Sequence, residues 1–208
     1  MTIEEKLRKE IVKYGRLLYE RGLNTGMAGN ISARVDDDRI LITPSGRCKG
    51  FLKENEILIV TIKDGKVSGK GKPSIETPMH IAIYEKRKDV GAVIHTHPVY
   101  STVLAVAGIT LKAALTPEGS LILGKVPLVP YRTPGTRDLG ECVAAMIGNN
   151  NACLLEKHGA LSVGSNLEEA FLRLETLEFL ATIQVHLSHF GEVEELPEEA
   201  LKAINTKK

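Results

Sequence analysis

The sequence predicts an α/β protein in which a mixed or largely antiparallel sheet lies between helices. Two observations carry this. Short β-like runs arrive as hairpins, turning at Asp36-Asp37-Asp38 and at Asp64-Gly65, and hairpins pair strands antiparallel. Segments with helical spacing and capping residues stand among them, without the regular strand–helix alternation of a doubly wound parallel sheet.

The elements follow in order. Ile3 to Arg21 reads as a helix, since Thr2 and Glu5 have capping-box spacing and Leu7, Ile11, Tyr14 and Leu18 recur at helical intervals. Gly22 ends it, and a loop with Gly26 and Gly29 leads to a strand from Asn30 to Val35 that pairs with RILIT. EILIVTIKDGKVSG gives a second hairpin, for which Asp64-Gly65 suits a type I′ turn. Thr77-Pro78 reads as N-cap and first residue of a helix to Lys86. Val90 to His95 is a strand, and Pro98 opens a helix through Leu104. Residues 121–131 hold short β-like runs around Pro127 and Pro130, and Thr136 caps a helix through Met146. ACLLEKHGALSVG reads as two strands interrupted at His158-Gly159. The last long helix starts at Ser165, with Glu168 at capping-box spacing, and runs to His189. The charged tail from Gly191 is expected to be mobile in part.

At 208 residues the chain is expected to be one domain, residues 1–208, large enough for a real core. Lys and Arg number 27 against 26 Asp and Glu, a balance that calls for neither nucleic acid nor an anionic membrane as partner. Three scattered cysteines (Cys48, Cys142 and Cys153) form no CxxC pair, which argues for a reducing compartment. MTIEEKLRKE has no apolar signal segment and no run approaches ~18 apolar residues, so the expected location is cytoplasmic. Neither GxGxxG nor GxxxxGK(S/T) is present, so nucleotide binding has no support.

The chemistry concentrates in GAVIHTHP, residues 91–98. Side chains alternate along a strand, so His95 and His97 point the same way, ~7 Å apart at the backbone. Imidazoles so placed can converge on one ion ~2.0–2.1 Å from each nitrogen. Equally, two polar residues at a strand end can each be satisfied by a backbone carbonyl. His158 ends another apolar strand, ahead of Gly159, and is a natural third ligand if the strands are neighbours. Three histidines with an open position form the pattern of a catalytic zinc site. Glu76 suits a fourth ligand or a general acid/base. His80, His186 and His189 fall within helices and read as structural or surface, although His80 follows Glu76 by one helical turn.

Three small-residue segments suit an anion: GMAGN at 26–30, TPSG at 43–46, and Ser74 ahead of Glu76. Glycines let backbone N–H groups face a phosphate, and Ser45, Ser74 and Asn30 add side-chain donors. Singly, each is an ordinary turn.

GNIS (29–32), ITPSG (42–46), KPSIE (72–76), HTHP (95–98), PYRTPGT (130–136) and EKHG (156–159) form an ordered set. With it the chain resembles the class II aldolase/adducin family from about Gly22 to Leu180, most of all the zinc-dependent L-fuculose-1-phosphate aldolases. The resemblance implies a three-layer α/β/α sandwich around a mostly antiparallel sheet. It implies one Zn2+ per subunit, or another divalent metal, on His95, His97 and His158, with Glu76 as catalytic acid/base. Asn30, Ser45, Gly46 and Ser74 fall on the family's phosphate-binding positions. The implied reaction is reversible cleavage of a ketose 1-phosphate to dihydroxyacetone phosphate and an aldehyde such as L-lactaldehyde. The implied assembly is a homotetramer with active sites at subunit interfaces.

There are departures. Met27 and Ile75 stand where the bacterial fuculose-phosphate enzymes carry Thr and Ser, and Thr116 replaces a tyrosine that acts as proton donor from a neighbouring subunit. Glu118 and Tyr131 are candidate substitutes. Within the family the rivals are a methylthioribulose-1-phosphate dehydratase and a sugar-phosphate 4-epimerase. A non-catalytic adducin-like interaction module would lack the three histidines. A JAMM metallopeptidase needs Ser and Asp where this chain has Val106 and Ile109.

Overall fold

The structure, a computed structural model, describes residues 1–191 and 194–205. The first helix, α1 (Ile3–Glu20), carries the expected capping box: the Thr2 hydroxyl accepts from the Glu5 amide, and the Glu5 carboxylate accepts from the Thr2 amide. Its apolar stripe buries Ile11, Tyr14 and Leu18.

Strands β1 (Asn30–Arg34) and β2 (Arg39–Ile42) form the first hairpin. The second joins β3 (Leu58–Thr61) to β4 (Val67–Ser68), but not through a type I′ turn. Such a turn needs positive φ at both central residues, and only Gly65 has it, at 69°. The Thr61 amide donates to the Lys66 carbonyl, so the loop spans four residues, 62–65.

Helix α2 (Thr77–Lys86) has Glu76 at its N-cap, one residue before the expected Thr77. The Glu76 side chain makes no capping bond, because it is turned into the site described below. Strand β5 (Ala92–Thr96) follows, then α3 (Val99–Ala107), which runs a turn beyond Leu104 until Gly108 stops it at φ 72°. The β-like reading of 121–131 holds only for β6 (Leu128–Val129), and a short helix, α4 (Pro117–Ile122), precedes it under a Thr116 cap. Helix α5 (Arg137–Ile147) is capped by Thr136 as expected. Strands β7 (Ala152–Leu155) and β8 (Gly159–Gly164) flank the His158 turn. Helix α6 (Leu167–Leu187) is capped by Asn166, whose side chain accepts from the Glu169 amide at 2.9 Å, and not by Ser165. The charged tail contains a further helix, α7 (Glu198–Asn205); parts of that tail lie outside the described residues.

The strands form one sheet in the order β4-β3-β2-β1-β5-β8-β7-β6, antiparallel except for the β6–β7 pair. Each face buries its own core. Ile31, Ala33, Ile94, Leu154 and Ala160 pack under α1, α3 and α6. Ile42, Val60, Val93, Leu161 and Val163 pack under α2 and α5, whose Met79, Ile83, Leu139 and Val143 close that layer. The result is the expected three-layer sandwich. No helix among the described residues is long and apolar enough to cross a membrane.

The centre of the sheet sets up the site. β5 lies between β1 and β8, with Asn30 opposite His95 on one side and Leu161 opposite His95 on the other. The ends of these strands therefore bring Asn30, the HTH segment and the His158 turn to one edge of the α2 face.

Candidate active site

His95 and His97 sit at the end of β5 and His158 at the turn between β7 and β8, one strand away. The three rings form a nearly regular triangle, with centroids 4.9, 4.7 and 4.9 Å apart. One nitrogen from each lies within 4.8 Å of the others, so the trio can hold a metal ion. The condition set on His158, that the strand it ends be a neighbour of β5, is not met: β8 lies between β7 and β5, and it is the turn into β8 that brings His158 to the other two histidines.

Local backbone geometry makes this convergence possible. Gly29, at φ 70°, lies against β5, where a Cβ would come 2.6 Å from the His95 carbonyl and 2.8 Å from Asn24 Oδ1. Gly159 leaves the space that the His97 ring occupies: a Cβ there would be 2.7 Å from His97 Cδ2 and 2.7 Å from the Thr96 carbonyl. Lys157 adopts φ 57°, a left-handed conformation that turns the chain so that His158 faces the trio.

Hydrogen bonds fix the chemistry of the rings. His95 Nδ1 lies 2.9 Å from the Ala160 carbonyl, which can only accept, so Nδ1 carries the hydrogen and a neutral His95 keeps its lone pair on Nε2. Burial, followed by the neighbouring His95, holds both His97 and His158 down to about 4. They are therefore neutral, and available as ligands, at ordinary pH.

Glu76 completes the cluster. Its Oε2 lies 3.2 Å from His95 Nε2, and its Oε1 lies 3.5 Å from His158 Nε2. Burial opposes its ionisation, but His95, His158 and the Asn30 amide outweigh burial and hold the carboxyl below the usual carboxylate range. His97 Nε2 is only 3.0 Å from His95 Nε2, and buried Oε1 has no hydrogen-bond partner. With the His95 lone pair on Nε2 facing the Glu76 carboxylate at 3.2 Å, a shared cation would satisfy both. Three imidazole nitrogens suit a borderline ion such as zinc.

A cavity of about 230 Å³ opens beside the trio, lined by Glu76, His97, His158, Asn30, Ser45, Gly46 and Ser74, among others. The structure thus brings the expected anion-site residues together next to the histidines. Their donors are unequally free. The Ser45 amide is spent on the Lys72 carbonyl and the Ser74 amide on the Thr43 carbonyl. The Asn30 side chain bonds to Glu76 and His80. Thr116 and Glu118 do not line this cavity, and Thr116 is occupied as a helix cap. Tyr131 is half exposed outside it, while Pro134 from the same segment forms part of its wall.

Sequence reasoning missed Lys49, which is buried in the cavity wall and donates through Nζ to the Met27 and Arg47 carbonyls. Burial pulls its ammonium down to about 8. It also passed over Ser32 and Tyr84. Their signal was periodic: Glu76, His80 and Tyr84 recur every four residues on α2, and Asn30 and Ser32 share a face of β1.

Comparison with known proteins agrees with this geometry. The family model described as "Class II Aldolase and Adducin N-terminal domain" matches residues 9–185. The chain is 41% identical over 175 residues to an L-fuculose phosphate aldolase of Methanococcus vannielii, covering 84% of this chain and 93% of the relative. It is 37% identical to a 3-oxo-tetronate 4-phosphate decarboxylase of Pectobacterium atrosepticum, covering 88% and 85%. A solved structure of an L-fuculose 1-phosphate aldolase superposes with a TM-score of 0.90 at 35% identity, covering 97% of this chain and 95% of that one.

Proposed function

The chain belongs to the class II aldolase and adducin family, an enzyme of carbon–carbon lyase type, and from that premise we propose that it is a zinc-dependent aldolase acting on a small ketose 1-phosphate. The substrate class is that of L-fuculose 1-phosphate, cleaved reversibly to dihydroxyacetone phosphate and an aldehyde such as L-lactaldehyde. The observation that carries the proposal is the convergence of three histidines and one buried carboxylate at the mouth of a cavity sized for a short phosphorylated sugar.

His95, His97 and His158 would hold the ion. When bound, it supplies Lewis acidity at the substrate carbonyl and the adjacent hydroxyl, where charge builds as the carbon–carbon bond breaks. The chain's own residues do the rest. The Gly46 turn, Ser45 and Ser74 bind the phosphate, so that the reacting carbons are held beside Glu76. Glu76 Oε1, the oxygen without a hydrogen-bond partner, carries the proton: in cleavage it takes the one given up by the hydroxyl on the carbon that leaves as the aldehyde and delivers it to the nucleophilic carbon, and in synthesis it moves that proton back. The one continuous sheet supports reading residues 1–208 as a single domain. Assembly as a cytoplasmic homotetramer is part of the same reading.

A second reading is decarboxylation of a 3-oxo-tetronate 4-phosphate. It draws support from the relative of that name, which is 37% identical to this chain. Both reactions leave an electron pair on a carbon next to a carbonyl, so the same site serves either. The test is to give zinc-loaded and chelator-stripped protein each substrate. Zinc-dependent release of dihydroxyacetone phosphate supports the aldolase, and carbon dioxide release supports the decarboxylase. With methylthioribulose 1-phosphate as a third substrate, loss of water without a triose phosphate identifies the dehydratase, and no turnover of any of the three by zinc-loaded protein refutes the proposed substrates.

A further inference from the structure

Behind Glu76 runs a single file of buried hydrogen bonds. Asn30 Nδ2 donates to Glu76 Oε2 at 2.8 Å, and Asn30 Oδ1 meets His80 Nε2 at 2.5 Å. His80 Nδ1 meets Ser32 Oγ at 2.6 Å, and Ser32 Oγ meets the Tyr84 hydroxyl at 2.9 Å. Ser32, His80 and Tyr84 are fully buried, and Asn30 and Glu76 nearly so.

The direction of every bond follows from its end point. A carboxylate only accepts, so Asn30 must present its NH2 to Glu76 and its carbonyl to His80. That carbonyl needs a donor, so His80 carries its hydrogen on Nε2. A neutral imidazole has only one such hydrogen, so Nδ1 accepts from Ser32. The Ser32 hydrogen is then spent, and Tyr84 donates to Ser32. Burial holds His80 down to about 3, which keeps the ring neutral. All four hydrogen bonds therefore point from the core toward one oxygen of Glu76, and bonds in series polarise one another.

The matching of periods sustains the file. Four residues of α2 rise about 6 Å, and two residues of β1 rise about 6.8 Å. Glu76, His80 and Tyr84 can therefore each face the Asn30–Ser32 segment in turn. Burying five polar side chains in a core is costly, and an apolar interface would be easier to build.

We propose that His80 is a positioning residue that, through Asn30, pins Oε2 of Glu76 as a permanent acceptor and leaves Oε1 as the oxygen that exchanges the substrate proton. This rests on the assignment of Glu76 as acid/base in the proposed lyase reaction. It goes beyond that assignment by giving the two carboxylate oxygens different jobs and by tying them to one tautomer of a ring that never touches substrate.

Two measurements test it. The first needs no turnover: in zinc-loaded protein labelled with 15N-histidine, two-bond 15N–1H correlations report the tautomer of His80, assigned by its loss in His80→Gln. The expected result is a protonated Nε2 and a bare Nδ1, unchanged between about pH 6 and 8, where an unperturbed histidine would titrate. A hydrogen on Nδ1 overturns the proposal whatever the enzyme does.

The second compares His80→Leu with His80→Gln, which keeps a donor for Asn30. The readouts are hydrogen–deuterium exchange at the nucleophilic carbon of dihydroxyacetone phosphate, KM, and bound zinc. His80→Leu should slow exchange 10- to 100-fold with KM within about two-fold and zinc stoichiometry intact, the scale seen when a supporting residue behind an active-site group is lost. His80→Gln should recover most of that rate. Ser32→Ala gives an intermediate loss, and stands in if His80→Leu does not fold. Exchange at the wild-type rate in His80→Leu, or in a Ser32→Ala substitute for it, refutes the proposal. Absence of exchange in wild-type zinc-loaded protein instead refutes the functional reading, an outcome the tautomer spectrum separates.

Discussion

Replacing Gly159 by alanine isolates space as the variable. Gly159 is not among the residues with positive φ, so alanine meets no backbone penalty there. Its new methyl would lie 2.7 Å from His97 Cδ2 and 2.7 Å from the Thr96 carbonyl oxygen. Favourable heavy-atom contacts fall at about 3.5–4.0 Å, so each contact is roughly 1 Å too short. The Thr96 carbonyl belongs to β5, and Thr96 pairs with Ala160, so it cannot withdraw without opening the β5–β8 ladder. The His97 ring is the softer partner and swings away from His95 and His158. Overpacking of this kind costs about 1–3 kcal/mol of stability. Misplacing one ligand should weaken metal binding about 10- to 100-fold, the range found when a ligand loses its support. Competition titration against a chromophoric chelator measures the second quantity and urea unfolding the first. A Gly159→Ala protein with wild-type zinc affinity and midpoint would show that His97 is not held by this contact and would refute the reasoning.

Other perturbations follow from the same geometry. Gly29→Ala combines a contact 2.6 Å from the His95 carbonyl with φ 70°, so it should destabilise more than Gly159→Ala, and parallel urea titrations rank the two. Glu76→Gln should reduce turnover about 10²- to 10⁴-fold while the protein stays folded and zinc-bound, seen by steady-state rates beside metal analysis. Lys49→Met leaves the Met27 and Arg47 carbonyls without their charged donor and should cost about 1–3 kcal/mol, read by denaturant unfolding. For the metal-free protein, His97 and His158 sit at about 4 in the fold against about 6.5 in the unfolded chain. The unfolded chain binds more protons between those values, so stability is intact above about 6.5 and declines as pH falls toward about 4. Thermal midpoints across that window check the sign.

Much of this was legible in the chain because chemistry and punctuation coincided. HTHP ends an apolar strand, KHG ends another, and KPSIETP opens a helix, so three separated motifs announced one cluster. Its depth was not legible. That Ser32 and Tyr84 belong behind Glu76 depends on α2 lying along β1, and no local pattern states which strand a helix will cover. His80 read as structural or surface, one helical turn after Glu76; it is fully buried, and its bonds to Asn30 and Ser32 come from the pairing of distant segments. Lys49 had no signal because a lysine beside a glycine-rich turn is ordinarily solvated; here the turn packs against α1 and carries the side chain inward. Helix α4 was obscured by its six-residue length and by Pro117 and Gly119, which read as turn residues. At Asp64-Gly65 the dipeptide announced a turn without fixing its length, since two more residues joined the loop.

The rung that sets Asn30, His95 and Leu161 side by side has a consequence for how the chain matures. Alternation along a strand means that slipping β5 by one residue would send His95 to the opposite layer, among Ile31 and Leu154, and displace His97 just beyond the strand. A chain so misassembled could hide its apolar residues nearly as well, yet it would have no means of capturing the ion. Under the proposed function a bound ion would therefore favour the correct register, since it stabilises only chains whose ladder delivers the three histidines together.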